Sequence, residues 1–97
     1  MTTPEPLIAK HNPQAGRFEL EKDGHLAVLD YQLAEGKIIF THTGVPAAVE
    51  GQGIGSSLAR VGLEYARAHG LKVVPLCSFV AAYIRRHPEY QDLVQQK

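Results

Sequence analysis

The sequence predicts a single α/β domain of the α+β kind, with the element order β-β-β-α-β-α, from three observations. The first half alternates polar and apolar residues, the second half repeats its apolar residues at helical spacing, and a short apolar run divides the helical part in two. A period of two is typical of strands, and spacings of three and four residues are typical of helices. We therefore expect an antiparallel three-strand meander followed by a helix, a parallel strand and a second helix.

The meander is predicted to begin near Arg17. Residues 1–13 show no sustained period and are expected to form a loose N-terminal arm of the single domain that spans residues 1–97. Phe18 and Leu20 then alternate with charged residues, as in a strand with one buried face. Asp23-Gly24 follows as a hairpin turn, because an Asp-Gly pair adopts the positive φ angles that tight hairpins need.

The next two strands follow from the same alternation. The segment from His25 to Leu33 is apolar on both faces, which indicates a central strand of the sheet. Glu35-Gly36 turns the chain again, and the segment from Lys37 to Thr43 is the third strand. The side chains expected on one face of this third strand are those of Ile38, Phe40 and His42.

From Ile54 the apolar period becomes helical, and Gly70 is the expected C-terminal signal of this first helix. Leu63 falls on the charged side of the helix, so we expect that side to be partly covered as well. The apolar stripe is predicted to consist of Ile54, Leu58, Val61 and Tyr65.

Two elements remain after the first helix. Residues 71–76 are a short apolar run, which we interpret as a strand parallel to the third because a helix connects the two. The second helix is expected from Ser78 to His87, where Pro88 stops it.

Length and composition limit the class of protein. The chain has 97 residues, 44% hydrophobic and 21% charged, as in a soluble globular domain with one modest core. Ten basic residues balance ten acidic ones, so nucleic-acid and membrane-surface partners are not expected. One cysteine and five scattered histidines exclude an internal disulfide framework and predict no metal site. The chain starts without a signal-peptide pattern and has no membrane-spanning apolar run, so we expect a cytoplasmic protein.

A run of alternating glycines, Glu50-Gly51-Gln52-Gly53-Ile54-Gly55-Ser56-Ser57, leads into the first helix, and we call residues 50–57 the glycine loop. Glycine lets the backbone approach a bulky ligand and adopt positive φ angles. A helix N-terminus adds unpaired N–H groups and a partial positive charge. The loop therefore predicts binding of a phosphate or a pyrophosphate.

Two common phosphate-binding patterns do not match this loop. A P-loop needs Gly-Lys-Ser/Thr at the helix start, whereas Gly55 is followed by Ser56 and no lysine is available. The dinucleotide fingerprint needs a glycine where Ser56 stands, and it normally follows the first strand of a parallel sheet rather than a meander. Nucleotide hydrolysis and Rossmann-type binding are therefore disfavoured.

The glycine loop instead resembles the pyrophosphate loop of the GNAT superfamily of acyl-CoA-dependent N-acetyltransferases, whose signature is Gln/Arg-x-x-Gly-x-Gly/Ala between a strand and a long helix. Gly53 and Gly55 match the two glycines, whereas Glu50 stands where Gln or Arg is usual. Residues 41–46, 72–77 and 82–90 extend the resemblance, so most of the chain is similar to a small, stand-alone GNAT-like family. A minimal GNAT-like fold is implied.

The resemblance also implies a cofactor and its contacts. Acetyl-CoA would be the cosubstrate, with its pyrophosphate on the glycine loop and its pantetheine arm in the gap where the third and fourth strands separate, opposite Leu76 and Cys77. No metal is implied. The implied cofactor-binding residues are Thr43, Gly44, Val45, Gly51, Gln52, Gly53, Ile54, Gly55 and Ser56.

Three side chains are candidates for acyl transfer, which needs a base for the amine and a proton for the leaving thiolate. Tyr83 matches the position in the last helix where many GNAT enzymes place a tyrosine near the cofactor sulfur; the alternative is a packed aromatic. Cys77 is an acyl acceptor, a lining residue of the pantetheine slot, or a small buried hydrophobe. His42 is a candidate base, or else a hydrogen-bonded structural histidine.

Three functions remain open from the sequence. The first is transfer of an acetyl group from acetyl-CoA to an unidentified amine. The second is a non-catalytic acyl-CoA-binding or sensor module, motivated by Glu50 and by the short chain. The third is a small interaction domain whose glycines form only a tight loop. Because the chain lacks the helices that shape the acceptor site in larger GNAT members, an open cleft, a protein acceptor or a second subunit in a homodimer would have to complete that site.

Overall fold

The computed structural model describes residues 8–95, which form one five-stranded sheet in the order β1-β2-β3-β4-β5. Strands β1 to β4 are antiparallel neighbours, and β5 runs parallel to β4. The predicted α+β order is confirmed, with one strand added before it. The strands are β1 (Lys10–Asn12), β2 (Arg17–Lys22), β3 (His25–Ala34), β4 (Lys37–Gly44) and β5 (Lys72–Pro75), and the helices are α1 (Ile54–Ala68) and α2 (Ser78–Arg86).

The added strand β1 corrects the prediction of a loose arm through residue 13. Lys10–Asn12 pair with β2, and the His11 ring stacks on Phe18 with the two ring centroids 4.4 Å apart. His11 Nε2 also hydrogen-bonds the hydroxyl of Tyr31. A strand of three residues, held largely by contacts of one histidine ring, leaves no periodic pattern, so the sequence alone does not reveal it. Residues 1–7 of the predicted arm lie outside the described residues.

The helices cover one face of the sheet, and the single core lies between them. On β3, which is the central strand as predicted, Ala27, Leu29 and Tyr31 face this core and are buried. Leu26, on the opposite face of β3, is 44% exposed. An antiparallel sheet with one covered face and one solvated face is a common arrangement.

Helix α1 lies closer to the sheet than its predicted apolar stripe implied. A Cβ added at Gly62 would meet side-chain atoms of Leu29 and Phe40 at 3.0 Å, so only glycine allows this approach. Leu63 is fully buried, as expected for a partly covered charged side, whereas Val61 and Tyr65 are only half-buried. The predicted stripe left out the small residues of α1, and because these are buried, the face of the helix that packs on the sheet differs from the predicted one. The buried residues of α1 are Ile54, Gly55, Leu58, Ala59, Gly62, Leu63 and Ala66.

A 3₁₀ segment, Pro88–Leu93, ties the end of the chain to α1. The Tyr90 hydroxyl donates to Glu64 Oε2 at 2.6 Å, and burial together with this hydrogen bond raises the pKa of Tyr90 to about 12. The Arg67 guanidinium donates to both carboxylate oxygens of Asp92 at 3.2 Å.

Neither helix of residues 8–95 combines the length and the apolar character needed to cross a membrane.

Candidate functional site

A β-bulge near the end of β4 decides which of its side chains face the helices. Tyr31 of β3 pairs with Phe40, but the preceding Asp30 pairs with His42, so Thr41 has no partner of its own. Directly opposed residues share a face of the sheet, and one extra residue reverses the alternation. The predicted phase of His42 with Phe40 is therefore wrong, because the bulge turns His42 to the solvated face.

On that face, His42 is exposed and lies beside Gly44. A Cβ added at Gly44 would be 3.1 Å from His42 Nε2, so the imidazole covers the backbone at the end of β4. The ring is on the side of the sheet opposite the helices. The structure does not bring this candidate base together with Cys77 or Tyr83.

The same bulge turns Thr43 toward the helices, where its hydroxyl oxygen lies 3.0 Å from Cys77 Sγ. Regular pairing of β4 with β5 ends at Phe40 and Pro75, and the Cys77 N–H then donates to the Phe40 carbonyl at 2.9 Å. Beyond these bonds β4 continues to Gly44, while the segment that follows β5 enters α2. The predicted separation of the two strands is thus present, and Thr43 and Cys77 meet where it begins.

A cleft of about 580 Å³ opens between the end of β4, the glycine loop and the start of α2. A volume in this range is typical of small-molecule sites. Every cofactor-binding residue implied by the sequence lines the cleft except Gln52. The lining residues are Thr43, Gly44, Val45, Glu50, Gly51, Gly53, Ile54, Gly55, Ser56 and Phe79.

The glycine loop presents the N-terminus of α1 to this cleft without a side-chain cap. Gly51 and Gly53 have φ angles of 83° and 77°, which favour glycine, and Gly53 is the N-cap residue. The first intrahelical hydrogen bond runs from Ser57 N to Gly53 O at 3.0 Å. The N–H groups of residues 54–56 precede that bond and have no intrahelical partner. Such a group of donors suits an anion.

Glu50 brings negative charge to the same place. It is exposed, and it is the charged residue among those that line the cleft. Its carboxylate repels an anion bound at the N-terminus of α1, although solvent screening limits the effect. Backbone donors and the helix dipole would have to supply the attraction.

Phe79, in the first turn of α2, is a lining residue that sequence reasoning did not assign to the site. Its ring lies against Gly55, where an added Cβ would be 2.7 Å from Phe79 Cζ. The available signal was its spacing of four residues from Tyr83, which places both on one face of α2.

Tyr83 lies one helical turn further along and is away from the lining residues of the cleft. The ring is only 7% exposed, and it stacks on His87 with a centroid distance of 3.9 Å. Burial raises the pKa of the Tyr83 hydroxyl, which keeps it protonated. This geometry is that of the packed aromatic, and a role of Tyr83 as an acid stays a prediction.

Comparison with known proteins identifies the family. The family model described as GCN5-related N-acetyl-transferase matches residues 17–93, most of the chain. The chain belongs to the GCN5-related N-acetyltransferase family. The GNAT resemblance inferred from the glycine loop is thereby confirmed.

Relatives and a solved structure agree with this GCN5-related assignment. The chain is 31% identical over 91 residues to Protein NATD1 of Mus musculus, covering 91% of this chain and 83% of that protein. It is 30% identical over 91 residues to Protein NATD1 of Homo sapiens, covering 91% and 80%. The solution NMR structure of a GCN5-like candidate N-acetyltransferase from Staphylococcus aureus superimposes with a TM-score of 0.72 at 30% identity, covering 94% of this chain and 90% of that one.

The comparisons show the family and the fold, whereas the chemistry of the cleft has to be inferred from the residues that line it. GCN5-related proteins generally use acetyl-CoA, an anionic thioester that a glycine loop at a helix N-terminus suits. Among residues 8–95, His, Cys, Asp and Glu side chains form no group of three or more that could hold a metal ion.

Proposed function

We propose that this protein binds acetyl-CoA in the cleft and transfers the acetyl group to an amine. The observation that supports this most directly is the uncapped N-terminus of α1, whose free N–H groups open into a cleft lined by glycines. Backbone donors at a helix N-terminus bind pyrophosphate without needing a basic side chain. Membership of the GCN5-related family favours acetyl-CoA over other pyrophosphates.

The walls of the cleft give the cofactor a direction. With its pyrophosphate on residues 54–56, the pantetheine arm would follow the end of β4 past Val45 and Gly44 toward the contact between Thr43 and Cys77. The thioester would then lie where β4 and β5 separate. Cys77 is buried in the core cluster, and its Sγ contacts the hydroxyl of Thr43, which lines the cleft.

The reaction needs few groups from the protein. The neutral amine attacks the thioester carbonyl, a C–N bond forms, the C–S bond breaks, and the departing thiolate takes up a proton as the amine loses one. The Thr43 hydroxyl and the Cys77 thiol are the polar side chains at the proposed position of the sulfur. We propose that they hydrogen-bond the thioester end and assist this proton transfer.

A non-catalytic acyl-CoA-binding module is the second candidate, and two observations favour it. None of the three predicted catalytic side chains, those of Tyr83, Cys77 and His42, lines the cleft, although Cys77 contacts the lining residue Thr43. Glu50, in contrast, does line it. A binding module needs only the backbone donors of the loop.

Binding is tested with a matched pair of glycine variants. Gly53 and Gly24 both have φ of 77° and open space around an added Cβ, so Gly53→Ala and Gly24→Ala introduce the same backbone strain. Gly24 lies in the hairpin between β2 and β3 and is not among the residues that line the cleft. We expect acetyl-CoA at 100 times its Kd to stabilise wild type and Gly24→Ala by roughly 2.7 kcal/mol, and Gly53→Ala far less.

The result contradicts the proposal if millimolar acetyl-CoA leaves the melting temperature of the wild type unchanged. Equal stabilisation of both variants would place the ligand away from the glycine loop. Release of free thiol from acetyl-CoA, measured with a panel of amines and peptides, then separates the two candidates. Amine-dependent release supports transfer, whereas binding without release supports the binding module.

A further inference from the structure

Phe79 has a position that packing of the core does not explain. It is 38% exposed, whereas Val80, Tyr83 and Ile84 of the same helix are buried. Its exposed surface lines the cleft. An aromatic ring that keeps this much surface exposed in a ligand-sized cleft offers apolar area to whatever binds there.

The Phe79 ring, rather than the backbone conformation, explains why position 55 is a glycine. Unlike Gly51 and Gly53, Gly55 does not have a positive φ angle, and it lies in the first turn of α1, where the helical backbone does not itself require glycine. An added Cβ would lie 2.7, 3.1 and 3.2 Å from three atoms of the Phe79 ring. Gly55 therefore permits the ring to lie against the first turn of α1.

The ring consequently lies between two parts of the proposed cofactor site. On one side are the free N–H groups of residues 54–56. On the other side is the contact between Thr43 and Cys77, and Cys77 precedes Phe79 by only two residues in the chain. In CoA the group that directly follows the pyrophosphate is the pantoyl unit, whose quaternary carbon carries two methyl groups. These methyls are the most apolar part of the arm, and an aromatic face is a suitable contact for them.

We propose that Phe79 is a positioning residue that packs against the pantoyl methyl groups and so selects CoA thioesters over nucleotides that lack the pantetheine arm. This inference rests on the proposed binding of acetyl-CoA in the cleft. The glycine loop would hold the pyrophosphate of either kind of ligand, and Phe79 would bind only the one that continues into the arm. The ring also directs the arm toward Thr43 and Cys77.

The test compares three ligands by calorimetry: CoA, adenosine 3′-phosphate 5′-diphosphate, and a CoA analogue whose two pantoyl methyls are replaced by hydrogen. We expect Phe79→Ala to weaken CoA binding about tenfold and to change binding of the arm-less nucleotide by less than about twofold. Wild type should bind the analogue about tenfold more weakly than CoA, and Phe79→Ala should bind the two about equally, because both changes remove one contact.

A control and a conservative variant sharpen the comparison. Leu33→Ala removes an apolar side chain that is 57% exposed at the far end of β3, and it should bind all three ligands as wild type does. Phe79→Leu keeps an apolar wall and should lose less than about threefold of the affinity for CoA.

Several results would overturn the inference. Equal losses for CoA and the arm-less nucleotide in Phe79→Ala would show that the ring acts through the glycine loop. Equal binding of CoA and the analogue by wild type would exclude the methyl contact, and this measurement does not depend on the folding of any variant. Absence of CoA binding by wild type would instead overturn the proposed function itself, which separates the two failures.

Discussion

The two ends of α1 differ in whether other parts of the protein form hydrogen bonds with them. At the N-terminal end no side chain caps the helix, and glycines and an open cleft surround the free N–H groups. At the C-terminal end Arg67 binds Asp92 and the Glu89 carbonyl, and the Leu71 N–H donates to the Ala66 carbonyl at 2.9 Å. One end is left open to a ligand, and the other is closed by the protein.

An aromatic cluster strengthens the closed end. It joins β1, β2, β3 and α1, and the Tyr65 ring stacks on His69 with a centroid distance of 4.0 Å. We call it the aromatic cluster, and it consists of His11, Phe18, Tyr31, Tyr65 and His69. The aromatic cluster thus lies away from the cleft, where the backbone N–H groups of residues 54–56 donate to no acceptor in the described chain.

The largest expected difference comes from making the same substitution at both ends. Phe18 is 1% exposed in the aromatic cluster, so Phe18→Ala should lower the free energy of unfolding by about 3–5 kcal/mol. Phe79 is 38% exposed, so Phe79→Ala should lower it by only about 1 kcal/mol. Urea unfolding measures both.

Binding of CoA should respond in the opposite order. Phe18→Ala, measured at a temperature where it is folded, should keep the affinity for CoA, whereas Phe79→Ala should weaken it about tenfold. Comparable destabilisation by the two substitutions would contradict the separation of stability from binding.

A smaller effect is expected from pH at the closed end. Burial and then the nearby His69 lower the pKa of His11 below 6.5. The folded state therefore binds this proton less readily than the unfolded state, so the contribution to stability is present above about pH 6.5 and is lost as the pH falls toward the folded pKa. The urea midpoint of the wild type should fall more steeply below that pH than the midpoint of His11→Phe, which keeps the ring on Phe18. Identical pH profiles would show that His11 does not couple protonation to folding.

The smallest expected effect is at the open end. Removing the charge of Glu50 with Glu50→Gln should tighten CoA binding about two- to threefold, because an exposed carboxylate beside an anion site is largely screened. The gain should shrink as salt is added. Glu35→Gln, which removes an exposed charge at the distant turn before β4, is the control and should leave the affinity unchanged. Weaker binding by Glu50→Gln would mean that Glu50 makes a favourable contact with the ligand.

Local patterns were enough to predict most of the elements and the position of the glycine loop. Alternation located β2, β3 and β4, and the Asp23-Gly24 turn joins β2 to β3 as expected. Local patterns did not predict the features that depend on packing between elements. The buried face of α1 depends on Gly62 meeting Leu29 and Phe40, which are distant in sequence.

The candidate site divides in the same way. Apart from Gln52, the implied cofactor residues on the loop and at the end of β4 lie together in the cleft because they are close in sequence and flank one helix N-terminus. His42 was assigned to the wrong face because alternation assumes an unbroken strand, and the bulge at Thr41 breaks it. Phe79 was missed because its contact with Gly55 joins two helices.

The sequence by itself determined the order of the elements from β2 onward, the family resemblance and the position of the glycine loop, since each depends on residues that are close together in the chain. Only the tertiary structure decided which side chains share the cleft. The pairing of β3 with β4 places the bulge, and the packing of α2 on α1 places Phe79 at the loop and Tyr83 away from it. Both result from contacts between distant segments, which no local period encodes.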